Sequence, residues 1–190
     1  LLTVISEWDS TCTFPGACCL ADETCVFIES IDCEDAGGEW NGVHSSCTTI
    51  ICSIAENDEC NGAIPVTNGA TDFSTVDATG STDAYDDSQC PGTWLGSMGN
   101  DIWFSYVATC SGTLSLSTCN SATFDTELVL YEGNCLSKVQ VGCNGDGAGC
   151  SGYTSLLEAP VTSGGQYLVR LGGWDDSSSG TGTLVINCQE

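Results

Sequence analysis

Basic residues are nearly absent. Lys138 and Arg170 are the only two in 190 residues, against 26 acidic ones, and the formal net charge is −24. Such a chain repels phosphate backbones and anionic lipid, which excludes nucleic acid and membrane surfaces as partners. Histidine is scarce too, and His44 stands alone. With one imidazole and no Cys-x-x-Cys pair, Cys/His zinc modules and attached haem are excluded. No Gly-x-Ser-x-Gly elbow accompanies that His, and no Walker lysine follows the glycines of "VGCNGDGAGC". No Asn-x-Ser/Thr sequon occurs, and no apolar run is long enough to span a membrane as a helix. Paired carboxylates suited to glycoside hydrolysis exist in any chain this acidic and carry no information. The expectation is a protein that is not an enzyme.

What is abundant is cysteine, fifteen in all, together with 41% hydrophobic residues. The cysteines point to an oxidising compartment and a disulfide framework, and the apolar fraction is enough for a core. A chain that starts at Leu1 with no signal peptide is expected of an exported product whose leader has been removed, extracellular or at the cell surface.

Three segments follow from the pattern. Residues 1–11 are an apolar arm, with Leu1, Leu2, Val4, Ile5 and Trp8. Residues 12–55 form a small Cys-rich module holding seven cysteines. Its span is too short for a large core, so cross-links must stabilise it. A short helix is expected from Ser30, with Asp32, Glu34 and Asp35 near its positive end and Gly37 and Gly38 stopping it. Residues 56–190 read as all-β. "DIWFSYVATC" alternates, with Ile102, Phe104 and Tyr106 on one face and Trp103, Ser105 and Val107 on the other, and one of these faces is core. "GTLSLSTC" places Leu114 and Leu116 inward, and "TELVLYEG", "QYLVRLGG" and "GTLVINC" supply further strands between turn-forming clusters. The fold class expected is a jelly-roll-like antiparallel β-sandwich behind a disulfide-rich module.

The eight cysteines of the sandwich can all pair. One plan is Cys60–Cys90, Cys110–Cys188, Cys119–Cys135 and Cys143–Cys150, although spacing does not fix connectivity. The odd cysteine then falls upstream. Cys12, beside the arm, is the candidate free or intermolecular thiol.

"FDTELVLYEGNC…VGCNGDGAGCSGYTSLLEAPVTSGGQYLVRLGG" resembles the pre-peptidase C-terminal domain, with its Asp-Thr before an "xLxLY" strand, an Asn/Asp-rich loop and a closing "Y.VR" strand. "ENDECNGAIPV" and "NDIWFSYVATCSGTLSLSTC" resemble a Cys-rich variant found in large secreted bacterial proteins. The likeness spans about residues 56–190. It implies a jelly-roll sandwich acting as an accessory that binds calcium, collagen or polysaccharide. It also implies a calcium site at Glu56, Asp58, Asp83 and Asp86, which occupy matching places.

Calcium takes six to eight oxygens, several from carboxylates. From the residues alone, a second candidate cluster is Asp125 with Asn144 and Asp146, though Asp and Asn also favour turns for their own backbone hydrogen bonds. Trp94 in "CPGTWLG" and Trp174 in "GGWDDSSSG" lie in loop-like surroundings. They can stack on a sugar ring, pack on a neighbouring subunit, or cover the end of the sandwich.

The apolar arm has three explanations. It can be an edge strand of its own sandwich, a linker ordered by the Cys-rich module, or a strand added to the sheet of the next copy, which builds open filaments. The first expectation is thus a homopolymeric filament or surface subunit joined by strand addition. The alternative is a calcium-stabilised polysaccharide- or collagen-binding module.

Overall fold

The computed structural model describes residues 15–20, 24–49, 55–90 and 93–190. The chain divides into two compact units, Leu1–Ile54 and Ala55–Glu190. The arm residues Leu1, Leu2, Val4, Ile5 and Trp8, and the thiol candidate Cys12, lie outside the described residues.

In the first unit, β1 (Gly16–Cys19) pairs antiparallel with both β2 (Cys25–Ile28) and β3 (Glu39–Val43). A six-residue helix, α1 (Ser30–Asp35), follows β2. Ser30 is its first residue and not its cap: Glu29 takes the cap position and makes no side-chain capping bond. Cys18–Cys33 ties the helix to the central strand, and Cys25–Cys47 ties β2 to the segment beyond β3. Cys19 is disulfide-bonded as well. Among the described residues of this unit, so few elements cannot bury a large core, and covalent bonds support them.

The second unit is the expected all-β sandwich. One sheet has four antiparallel strands in the order β10–β7–β12–β5, namely Leu156–Val161, Gly112–Ser117, Thr181–Gln189 and Gly69–Ser74. The other has five, in the order β4–β6–β11–β8–β9: Ile64–Val66, Gly99–Val107, Gln166–Gly173, Thr126–Asn134 and Ser137–Asn144. Only the short β4, which carries Pro65, is parallel to its neighbour. Pro at a sheet edge costs no ladder hydrogen bond. Period-2 alternation sends Leu114, Leu116, Leu184 and Ile186 of one sheet against Phe104, Leu128, Leu130, Val169 and Leu171 of the other.

The five-stranded sheet has a second core on its outer face. Trp103, Val129, Tyr131 and Leu168 pack there with Leu95, Met98, Cys60 and Cys90. Both faces of β6 are therefore buried. The cover is the connection between β5 and β6, residues 75–98, whose described part holds only one short 3₁₀ turn, Asp87–Gln89. Its anchor is Arg170, 1% exposed. The guanidinium bonds Asp101 through Nε at 2.8 Å and Nη2 at 2.9 Å. It also donates to the carbonyls of Asp83 and Ser81, at 2.7 and 2.9 Å. Tyr85 and Trp103 lie against it, with ring centroids 5.6 and 5.7 Å away. Lys138 pairs with the Asp83 carboxylate and faces the Trp103 ring. Both cations of the chain thus bind one segment of it.

All eight cysteines of this unit are paired, but three of the four pairings differ from the plan read from spacing. Cys110–Cys188 is as expected. Cys60 bonds Cys135, Cys90 bonds Cys143, and Cys119 bonds Cys150. The covering connection carries Cys90 over β9, which holds Cys143, and the loops before β8 and β10 lie side by side, bringing Cys119 to Cys150. Neighbours in the folded sheets, not neighbours in sequence, decide the partners.

Removing one member of a buried, hydrogen-bonded ion pair leaves its partner's charge unpaired, at a cost of about 3–5 kcal/mol. Arg170→Met should lose stability in that range in urea unfolding. A loss under about 1 kcal/mol, the worth of an exposed pair, would show that Arg170 is not the anchor.

Candidate functional site

β8 and β10 begin at one end of the sandwich, where β9, β7 and β11 finish. The loops 118–125, 145–155 and 174–180, and residues 93–98, gather there. Loops on a rigid scaffold are where binding residues concentrate.

Buried hydroxyls hold this end together. Thr118 Oγ1 and Thr126 Oγ1 are 2.6 Å apart, and the Ser155 amide donates to both at 3.0 Å. The Ser155 hydroxyl donates to the Thr126 carbonyl and, at 3.2 Å, to that of Gly145. Thr93 Oγ1 accepts from the amides of Gly145 and Asp146, each at 2.7 Å. The Cys119–Cys150 bond links two of the loops covalently.

Trp94 is 71% exposed and Trp174 39%. The two lie on laced segments. The Trp174 carbonyl accepts from the Ser97 amide at 2.9 Å, and the Trp174 amide donates to the Asp125 carbonyl at 3.4 Å. Gly96 sits under the Trp174 ring at φ +49°, and a Cβ there would come 2.8 Å from ring atom Cδ2, so glycine fits on two counts. Tyr85 donates its hydroxyl to the Gly96 carbonyl at 2.7 Å. Both aromatics are thus held on pinned segments.

Beneath them lie the carboxylates. Asp125 is half-buried with Oδ1 lacking any donor. Glu127, the second residue of β8, is 1% exposed, and its Oε2 has no donor either. A side chain on Gly145 would strike the Trp94 carbonyl oxygen, Glu127 Oε2 and Thr93 Oγ1, so these oxygens crowd around one glycine. Burial pushes the Glu127 carboxyl up to about 10, and the charges of Asp125, Asp146 and Asp87 add to the effect. Burial, with Asp146 and Asp175, lifts Asp125 to about 6.

Of the cluster read from the sequence, Asp146 is close enough to Asp125 for its charge to act on that carboxyl. Asn144 is committed elsewhere, with its Oδ1 accepting from the Leu156 amide at 2.8 Å. Glu127 was not among the sequence candidates. It falls in phase with Val129 and Tyr131, which are buried on the outer face, but in the sequence alone a glutamate at that phase reads as solvent-facing. The aspartates of the other proposed set have partners within the fold. Asp58 is buried and accepts from the Thr79 amide and hydroxyl at 2.5 and 2.7 Å. Asp83 pairs with Lys138, and Asp86 caps the 3₁₀ turn through Ser88. Glu56 is exposed. Each of those three aspartates serves a local structural bond. Among the described residues, no group of three or more His, Cys, Asp and Glu side chains is placed to hold a metal ion. Nor, among them, is any helix long and apolar enough to cross a membrane.

No family model, no curated protein and no solved structure matches the chain.

Glu127 generates a pH dependence of known sign. Its folded value lies above its usual 4.5, so folding favours the protonated form. The stability this contributes is complete below pH 4.5 and is lost as pH rises toward about 10. In buffer free of divalent cations, calorimetry should show the parent protein losing Tm relative to Glu127→Gln as pH is raised across that window. A difference that stays constant would show that the Glu127 carboxyl titrates as an ordinary exposed one.

Proposed function

We propose that Ala55–Glu190 is a carbohydrate-binding module of an extracellular or cell-surface protein, taking a neutral polysaccharide at its loop-bearing end. One observation carries the reading. Two exposed tryptophans on pinned loops, Trp94 and Trp174, share that end with the carboxylates of Asp146 and Asp175. An indole face covers the apolar side of a sugar ring, and carboxylates accept from its hydroxyls. Preorganised loops reduce the entropy lost on binding. The net charge of −24 turns away sulfated and uronate polymers, so the ligand is neutral.

Other features point the same way. The resemblance of residues 56–190 to the pre-peptidase C-terminal domain implies an accessory that holds a ligand. The disulfides belong to an oxidising compartment, and export accounts for them. The reading is of a non-catalytic role, and the burial of Glu127, the most displaced acid at this end, supports it. The filament reading depends on residues 1–11, outside the described residues, and the tryptophan end does not require it.

Affinity electrophoresis through gels cast with neutral polysaccharides tests the proposal, with collagen peptide as the competing ligand. Trp94→Ala should weaken retention by about tenfold or more, the scale of an interface hot spot. Leu136→Ala, at a 96% exposed residue in the hairpin beyond the far end of β8, should leave it unchanged. Retention equal in the two variants, or binding to collagen alone, would overturn the reading.

A further inference from the structure

We propose that the loop-bearing end holds a hard divalent cation, Ca2+ by its oxygen chemistry, between the carboxylates of Asp125 and Glu127 and the main-chain oxygen of Trp94. The inference is independent of the carbohydrate reading.

Its basis is a missing partner. Glu127 is 1% exposed and Asp125 half-buried, yet Glu127 Oε2 and Asp125 Oδ1 accept from nothing. A carboxylate taken from water without a partner costs several kcal/mol. The usual remedy is Arg or Lys, but Arg170 is bound to Asp101 and Lys138 to Asp83. The nearby amides of Gly145 and Asp146 are turned to Thr93 Oγ1 instead. Two further oxygens lie with it about Gly145, the Trp94 carbonyl and the Thr93 hydroxyl, and the charges of Asp125 and Asp146 act on it. An oxygen left without any donor, beside a carbonyl oxygen, suits a cation.

Calcium fits the inventory. It accepts carboxylate, carbonyl and water oxygens in flexible geometry. The carboxylates of Glu127 and the half-buried Asp125, with one carbonyl, leave the rest of the shell to water. Fewer than three carboxylates in the first ring places the affinity in the weak range of extracellular modules, a Kd of about 10⁻⁴–10⁻³ M. The site would also join β8 to the segment bearing Trp94, so the ion and the aromatic rim share one anchor.

The test uses the full chain, stripped with a chelator and titrated with Ca2+ at about 0.15 M ionic strength to screen diffuse attraction. Tm should rise saturably. Tb3+ in place of Ca2+ should give luminescence sensitised by tryptophan excitation. Glu127→Gln and Asp125→Asn should each weaken binding by about tenfold or more, since even outer-shell changes cost that much. Glu158→Gln, on the exposed face of β10, should bind as the parent does. Near-UV circular dichroism without the ion checks that each variant folds. Asp125, nearer the surface, carries the test if the Glu127 variant does not. Titration without saturation, or equal binding by all three variants, would overturn the proposal and leave water or a proton as Glu127's partner.

Discussion

A single guanidinium lies beneath the outer core of the five-stranded sheet. Arg170 projects from β11, the middle strand, and reaches Asp101 on β6 and the carbonyls of Ser81 and Asp83 in the covering connection. A connection of this length with little regular structure has many backbone groups to satisfy. Arg170 answers several at once because its donors form a fixed planar fork, which lysine lacks. Once that segment is down, Trp103, Leu95 and Met98 are sealed, and residues 93–98 are delivered to the end of the sheet where Trp94 and the Thr93 hydroxyl act. The loop-bearing end thus depends on a charge pair buried some way beneath it.

The same economy explains the cross-links. With 26 acids and two bases, the chain cannot hold its surface together by ion pairing. Its self-repulsion favours expansion. Cys60–Cys135 and Cys110–Cys188 close loops of 75 and 78 residues. In the chain-entropy model, closures of that length are each worth about 4–5 kcal/mol through the unfolded state. That contribution is insensitive to pH and salt, unlike an ion pair. Both long closures engage the far end of the sandwich, whereas Cys119–Cys150 ties loops at the loop-bearing end, so each end has covalent support.

Much of the fold was legible, and the reasons are physical. β6, β7, β8, β11 and β12 show alternation or continuous apolar runs because each meets a core. The strands that escaped notice are edge or sparsely apolar ones: β4 with Pro65, β5 with Gly69, Asp72 and Ser74, and β10 with Pro160. β9 carries Lys138 and Gln140 at positions that face the covering connection rather than solvent. A second core on the outer face was not foreseeable from β6, whose alternation suggests one wet side. The segment that covers it has no period at all. Cysteine pairing was illegible for the same reason, since Cys90 meets Cys143 only after that segment folds across.

Of the candidate site, the tryptophans and Asp125 with Asp146 were readable because they sit in loops, where polar and aromatic residues stand out. Glu127 was hidden by its strand. A glutamate inside "TELVLYEG" passes for a solvent-facing residue in an alternating pattern, and only the three-dimensional cover turns it inward. The acids that looked most like ligands, Asp58, Asp83 and Asp86, instead fasten the fold through a threonine, a lysine and a turn. In so acidic a chain the number of nearby carboxylates says little. The useful distinction is whether a carboxylate's oxygens already have donors, and here Glu127 and Asp125 each keep one that does not.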